Sequence, residues 1–252
     1  MGLRPLDESK WLEVDARRDE ELSLKRTLLS EQRDTVVALR DVGDAASEEL
    51  LNLVLENLAA HHPAIARDVV ASEHPIVQAS LLLQEDLCVL VREDAWRLAA
   101  ACVCFPSRWS LQSKLGSTLD AIHAPVPGYD RELSGPTNAF FGRLEPGRSF
   151  WRLNWTLLDD AAMHQPGGLR RSAQGGADQW FFRVERQTLR LLPVSRAAVF
   201  TIRTYVASVR ELRSEHEDFV DNLLLALESA PAAMKAYKGW VGVAEELRRA
   251  LT

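Results

Sequence analysis

Cysteine is scarce in this sequence, and no two cysteines stand at the spacing of a metal-binding pair. The 252 residues include three, Cys88, Cys102 and Cys104. Because there is no C-x-x-C motif, the sequence argues against an iron–sulfur cluster or a zinc ribbon carried by this chain. Three cysteines cannot all pair within one chain, and Cys102 and Cys104 stand two apart in an apolar run. We therefore predict reduced thiols that pack in the core.

A long apolar run and an excess of basic residues are also missing. No stretch approaches the ~20 apolar residues that a membrane helix needs, and the charged N-terminal segment lacks the apolar centre of a signal peptide. The formal net charge is −6, whereas a general binder of nucleic acid or anionic membranes needs a basic face. These absences predict a cytoplasmic protein whose partners include neither nucleic acid nor a membrane.

The composition is otherwise that of an ordinary globular protein, with 46% hydrophobic and 26% charged residues. A chain of 252 residues can form one large domain or two small ones. No repeat of fixed period and no long Pro/Gly/Ser linker divides it. We therefore expect a single domain over 1–252, with an N-terminal arm and helix in 1–75 and a C-terminal helical extension in 208–252.

Hydrophobic periodicity predicts both helices and strands. The pattern of 44–60 is typical of an amphipathic helix. The residues before it, through about Arg40, mix charges with spaced apolar residues and indicate a partly extended arm along the main body. Apolar alternation predicts five strands, at 87–92, 96–104, 150–158, 179–189 and 197–207.

Helical patterns occupy the chain between and after these strands. They cover 107–123, with an interruption at Gly116, and 136–144, and they return from about 211. The glycine- and arginine-rich stretch 167–178 is expected to be mobile. Two strands, a helical insert and three further strands predict an α+β fold, in which the insert covers one face of a five-stranded antiparallel sheet and helices flank both ends. This is also the element order of a PAS domain.

His123 is the residue with the strongest ligand chemistry. It ends a helical segment and is followed at once by the stiff sequence APVP. A neutral imidazole held by one nitrogen can bind a metal ion through the other. A histidine at a helix end can instead cap carbonyls or meet solvent. The other histidines are poorer candidates, and two of them, His164 and His216, are expected at the surface.

A polar run interrupts the strand near 183–188. Alternation places Arg183, Glu185 and Gln187 on one face and Arg186 on the other. Such side chains are costly in a core strand unless they are paired or line a site. The run therefore indicates either a binding site or a structural Arg–Glu network. Arg203 lies on the next strand, within reach if the two strands form a hairpin.

Three further residues belong to the candidate site. Arg152 and Asn154 share one face of the strand at 150–158. Asn154 could donate to a bound group or could be a sheet-edge amide. Tyr129 suits the wall of a pocket.

Several segments together resemble the alpha subunits of the haem-dependent oxidative N-demethylases. Matches occur in order along the chain, with looser ones near the N-terminus and at YKGW. The five clearest are CFPSRWSLQSKLG at 104–116, IHAPVPGY at 122–129, RLNW at 152–155, RVERQTLRLLP at 183–193 and FTIRTY at 200–205. The resemblance implies a PAS-like fold, a b-type haem and oxidative removal of an N-methyl group from a small amine, with dioxygen consumed and formaldehyde released.

Within this chemistry we expect particular roles for the candidate residues. His123 would be the axial iron ligand, because it lies within a matched motif. Glu185 would hold or deprotonate the substrate ammonium, and Arg186 or Arg203 would anchor the haem propionates or polarise bound oxygen. The remaining candidates would contact the cofactor, namely Tyr129, Arg152, Asn154 and Arg183.

Electrons have to come from elsewhere, since the sequence contains no flavin-binding fingerprint and no cluster-binding cysteines. The resemblance implies a separate reductase chain with FMN and an iron–sulfur cluster that draws on NADPH, and tetrahydrofolate as a candidate acceptor of the one-carbon unit. A homo- or hetero-oligomer is compatible with this. Two other functions stay open, a haem-based PAS sensor and a haem-free interaction module.

Overall fold

The centre of the molecule is an antiparallel β-sheet. The computed structural model describes residues 2–167 and 180–251. The strands are β1 (Arg4–Leu6), β2 (Val37–Leu39), β3 (Asp86–Arg92), β4 (Trp96–Cys102), β5 (Ser149–Leu158), β6 (Phe181–Leu191) and β7 (Ala198–Ser208). Within the described residues they form one sheet in the order β1-β5-β6-β7-β3-β4-β2, and every neighbouring pair is antiparallel.

The α+β class and the antiparallel sheet are as predicted, but the sheet has seven described strands rather than five. All five predicted strands occur with ends shifted by at most two residues, although Gln179 lies outside the described residues. The two missed strands, β1 and β2, are three residues long and close opposite edges of the sheet. Segments this short show no alternation, so hydrophobic periodicity could not reveal them.

The helices lie before, within and after the strand series. They are α1 (Arg18–Glu31), α2 (Arg33–Val36), α3 (Asp44–His61), α4 (Pro75–Leu82), α5 (Leu119–His123), α6 (Ser134–Phe141), α7 (Val209–Glu215), α8 (Phe219–Ser229), α9 (Ala232–Lys238) and α10 (Val243–Leu251). Helix α3 confirms the amphipathic pattern of 44–60. The arm was predicted too long, because α1 and α2 occupy its second half. In α1 the buried face includes the charged Lys25, which hides the apolar stripe.

The insert contains less helix than the sequence predicts. Residues 107–118 form turns, and regular helix begins at α5, where the Thr118 side chain accepts from the Ala121 amide. Gly116 and Arg108 both have positive φ, which an α-helix cannot contain. Gly116 also bonds through its amide to the Leu98 carbonyl, so the chain runs beside the sheet instead of coiling.

Different parts of the chain cover the two faces of the sheet. On one face, side chains of α1, α3 and α4 pack with Val89 and Val199. On the other, Leu119 and Phe141 of the insert pack with Leu98 and Leu189. This second cluster holds the His123-bearing helix α5 against the sheet, beside the polar part of β6.

The C-terminal helices form a third cluster at the end of β5 and β6. Trp240 stacks on Trp155 with 4.5 Å between ring centroids, and α8 adds Leu223 and Leu227. All three cysteines are buried and free, as predicted. No helix in 2–167 or 180–251 is both long and apolar enough to cross a bilayer. The stretch predicted to be mobile lies, from residue 168 onward, outside the described residues.

Candidate active site

Polar side chains from two neighbouring strands gather on the face covered by the insert. The register of β5 and β6 pairs Arg152 with Gln187 and Asn154 with Glu185, and Arg183 lies two residues before Glu185. Because alternate side chains share a face, these five form one surface, called the site face below. The structure therefore brings together the polar residues that alternation predicts to be neighbours.

Glu185 is the centre of the hydrogen bonds on the site face. One of its carboxylate oxygens accepts from Asn154 Nδ2 at 3.2 Å and from Gln187 Nε2 at 2.9 Å. The other lies 3.7 Å from Arg183 Nε. The side chain is nearly buried, so two amides and one cation fix the carboxylate in a single orientation.

The guanidinium of Arg183 is used inside the protein. It donates to the Met163 carbonyl at 3.0 Å, to the Phe105 carbonyl and to Thr204 Oγ1 at 3.4 Å. The side chain is completely buried, and burial lowers its pKa while the charge of Glu185 opposes that shift. Arg183 therefore ties two loops to the sheet and has little capacity left for a bound anion.

Most of the Arg152 guanidinium, in contrast, has no partner within the protein. Its Nε donates to Gln187 Oε1 at 2.7 Å, whereas its two terminal nitrogens have no hydrogen-bond partner in 2–167 or 180–251. Burial lowers the pKa of Arg152, and the negative charge of Glu185 opposes that shift. An arginine keeps its charge under such conditions. Two donors of a fixed cation are thus available on the site face.

His123 lies at the end of α5 in the insert, within electrostatic range of Arg152. Its Nδ1 lies 2.8 Å from the Leu119 carbonyl. A carbonyl can only accept, so Nδ1 carries the proton and Nε2 keeps a lone pair. Burial lowers the pKa of His123, the hydrogen bond to Leu119 opposes this, and the positive charges of Arg152 and Lys114 add to it. The ring is therefore a neutral imidazole with an available nitrogen.

Tyr129 supports the His123 ring. The two rings stack with 4.9 Å between centroids and 13° between planes, and Tyr129 is buried. Burial also raises the pKa of its hydroxyl. Because a stacked ring limits rotation, Tyr129 fixes the plane in which the His123 lone pair lies.

Arg186 and Arg203 lie on the opposite face of the sheet, called the arm face below. Arg186 donates to the Trp11 carbonyl at 3.2 Å and pairs with Glu13 at 3.1 Å. Arg203 is fully buried and pairs with Glu21 at 2.7 Å, and Asp15 is a further partner. The structure does not bring these two arginines to His123, because both dock the N-terminal arm and α1.

Sequence reasoning missed a second histidine near the site face. His164 was expected at the surface, yet it is partly buried and its Nδ1 lies 2.7 Å from the Cys104 carbonyl. Its Nε2 is buried and has no hydrogen-bond partner among the described residues. The sequence around His164 carries no signal of this, since the residue lies in an irregular segment outside any strand or helix.

An open depression of about 520 Å³ lies along α5, and no residue of the site face lines it. Its lining includes Asp120, Tyr129 and Asp130. Two carboxylates on its wall make this depression poorly suited to an anionic ligand. In the part of the chain that the structure describes, no group of three or more His, Cys, Asp or Glu side chains is placed to hold a metal ion.

The structure is thus an α+β fold whose central sheet carries Arg152 and Glu185 on one face and whose insert carries His123. The family model for "Haem-dependent oxidative N-demethylase, alpha subunit-like" matches residues 2–69 and 64–248 of the chain. These two stretches cover nearly the whole sequence. The chain belongs to this family.

Proposed function

We propose that the site face binds a b-type haem through His123 and removes an N-methyl group from a small amine by oxidation. The observation that carries this proposal is a neutral His123 on the insert together with Arg152, whose terminal nitrogens bind no other group in the described chain. An imidazole with Nδ1 on a backbone carbonyl and Nε2 free is prepared to ligate iron. The family supports a haem-dependent activity. The residues present therefore fit the cofactor.

Arg152 would neutralise a haem propionate. Its terminal nitrogens can donate to a carboxylate in the forked geometry that arginine favours. Arg183, Arg186 and Arg203 are weaker candidates, because their donors already bind protein carbonyls or carboxylates. We therefore assign Arg183 to shaping the site, and we assign Arg186 and Arg203 to holding the N-terminal segment rather than the cofactor.

Glu185 would hold the ammonium group of the substrate. One carboxylate oxygen already binds Asn154 and Gln187, while the other faces a single cation at 3.7 Å. A carboxylate fixed in this way can accept an N–H bond from a methylated amine and later take its proton. Asn154 then acts by orienting Glu185, with its own oxygen 3.4 Å from Lys238 Nζ.

When bound, the haem supplies the oxidising chemistry at the N-methyl carbon. Overall, amine, dioxygen, two electrons and two protons would give the demethylated amine, formaldehyde and water. The electrons would come from a separate NADPH-dependent reductase with FMN and an iron–sulfur cluster, and tetrahydrofolate would take the one-carbon unit. The alpha-subunit description of the family supports a partner chain. The central strand order β4-β3-β7-β6-β5, with the insert between β4 and β5, supports a PAS-like arrangement.

The test begins with protein made under adequate haem supply. We expect a Soret band in the absorbance spectrum, and its loss or strong shift in His123→Ala. The matched control is His216→Ala, since His216 is exposed and should leave the spectrum unchanged. Haem-loaded protein given electrons artificially, with oxygen and a secondary methylamine, should release formaldehyde. A chain that binds no haem would contradict the proposal, and haem without turnover would favour a sensor.

A further inference from the structure

The loop that carries His164 is tied firmly to the chain segment that follows β4. Arg108 donates from its amide to the Gln165 carbonyl at 2.7 Å and from Nε to Gln165 Oε1 at 2.9 Å. The Gln165 amide donates to the Pro106 carbonyl at 3.2 Å, and its side chain donates to the Ala162 carbonyl at 2.7 Å. Both chain neighbours of His164 are thereby held, since Arg183 also binds the Met163 carbonyl.

Asp86 holds the segment after β4 that the His164 loop contacts. One carboxylate oxygen accepts from the Cys104 amide and the other from the Phe105 amide, each at 2.8 Å. Asp86 is completely buried, and its charge is balanced by buried Lys25 at 3.7 Å. The carbonyls of the same two residues accept from His164 and Arg183. Every polar backbone group of Cys104 and Phe105 is therefore bound by a side chain of this network.

The arrangement defines the chemistry of the His164 ring. Its partner is a carbonyl, so Nδ1 carries the proton and Nε2 has a lone pair. That nitrogen is buried and unpartnered among the described residues. A buried acceptor without a donor is unfavourable unless something binds it. The hydrogen bonds around the loop, together with the bond from Nδ1 to the Cys104 carbonyl, hold the ring in a position that leaves Nε2 without a partner.

We propose that His164 is a second functional imidazole of the site, and that Asp86 positions it through Cys104 and Phe105. Its Nε2 accepts a hydrogen bond from an N–H of the bound amine, because the proposed function already assigns the iron to His123. Arg183 links His164 to Glu185, because the same guanidinium binds the Met163 carbonyl and faces the carboxylate. This inference extends the proposed function to a residue outside the matched motifs.

The positioning step is tested on haem-free protein, so the result does not depend on whether haem binds. Nitrogen-15 NMR of labelled histidine should show His164 as a single tautomer with the proton on Nδ1. Asp86→Asn replaces one acceptor oxygen by a donor and should give a tautomer mixture or an exchange-broadened ring. The control Asp221→Asn changes an exposed residue and should match the wild type. A His164 proton on Nε2 in the wild type, or a ring that ignores Asp86→Asn, would overturn the positioning role.

The ligand role is tested with His164→Asn, whose amide can still donate to the Cys104 carbonyl but offers no lone pair at the Nε2 position. A change of spin state in the ferric absorbance and electron paramagnetic resonance spectra without any amine would show that His164 binds the iron instead, and would overturn the amine role. If Nε2 accepts from the amine, those spectra stay as in wild type, and the KM for a secondary methylamine rises about tenfold with kcat little changed, as for one lost hydrogen bond. A His164→Asn variant with wild-type spectra and a wild-type KM for the amine would overturn the proposal. Absence of haem from the wild type would instead contradict the proposed function.

Discussion

The arm face and the site face of the sheet both present arginines, but the partners differ. On the arm face, Arg186, Arg190 and Arg203 each have a carboxylate from the N-terminal arm or α1 within 3.1 Å. On the site face, Arg183 binds loop carbonyls, and Arg152 keeps two terminal nitrogens without a partner among the described residues. Strand alternation alone distributes these residues between the faces. The partner of each guanidinium distinguishes an arginine that holds the fold from one that can hold a ligand.

Removing an ion pair on the arm face should lower the free energy of unfolding, and this is the largest effect that we expect. Arg203→Ala removes the cation between Asp15 and the buried Glu21. An uncompensated buried carboxylate costs about 3–5 kcal/mol of unfolding free energy. Urea denaturation should show this loss, whereas Arg92→Ala at an exposed position should stay within about 0.5 kcal/mol of wild type. A loss below about 1 kcal/mol would mean that the arm is not held by this ion pair.

Removing charge from Glu185 should harm chemistry more than stability. Glu185→Gln keeps an oxygen for Asn154 and Gln187 but loses the charge that would hold an ammonium. We expect unchanged haem content and a fall in amine demethylation of ~100-fold or more, as for a lost acid–base group. The matched control is Glu217→Gln, at an exposed position. A variant that melts many degrees lower yet turns over normally per folded molecule would make Glu185 a structural partner of Arg183.

Replacing Arg152 should weaken haem binding and leave stability almost unchanged, whereas replacing Arg203 should lower stability. Arg152→Met removes a partly buried cation that forms no ion pair in the described chain, so the unfolding free energy of the haem-free protein should change by no more than about 1 kcal/mol. Loss of a charge-assisted hydrogen bond should raise the haem dissociation constant about tenfold. Haem titration measures this, with Arg92→Met as the control. Strong destabilisation without a change in haem affinity would place Arg152 among the structural arginines.

The sequence predicted the five long strands and the shared face of the polar residues on β6. It did not predict the partners of the arginines or the burial of His164, and both omissions have physical causes. Alternation is local, so it predicted the shared face of Arg183, Glu185 and Gln187. Whether an arginine is satisfied depends on segments far along the chain, as with Arg203 and Glu21. His164 was missed for the same reason, because its partner is a carbonyl sixty residues away. Asp86 lies in the segment LQEDL, but its hydrogen bonds to Cys104 and Phe105 appear only in three dimensions.

The smallest expected effect is a pH dependence of stability that comes from the charge state of His123. It tests directly whether the imidazole is neutral. Burial and the cations Arg152 and Lys114 lower its pKa in the folded protein, while the unfolded chain titrates near its ordinary value of about 6.5. Below that pH the unfolded state binds more protons than the folded state, so stability contributed by neutral His123 is lost as pH falls.

We therefore expect the unfolding free energy of haem-free wild type to exceed that of His123→Asn by an amount that shrinks as pH falls below about 6.5 and is constant well above it. Urea denaturation across this range measures the difference, with His216→Asn as the control at an exposed histidine. In an Arg152→Met background the shrinkage should be smaller, because one of the two cations is gone. A difference that is independent of pH would show that His123 titrates alike in both states. It would then remove the argument that the site face holds a neutral imidazole.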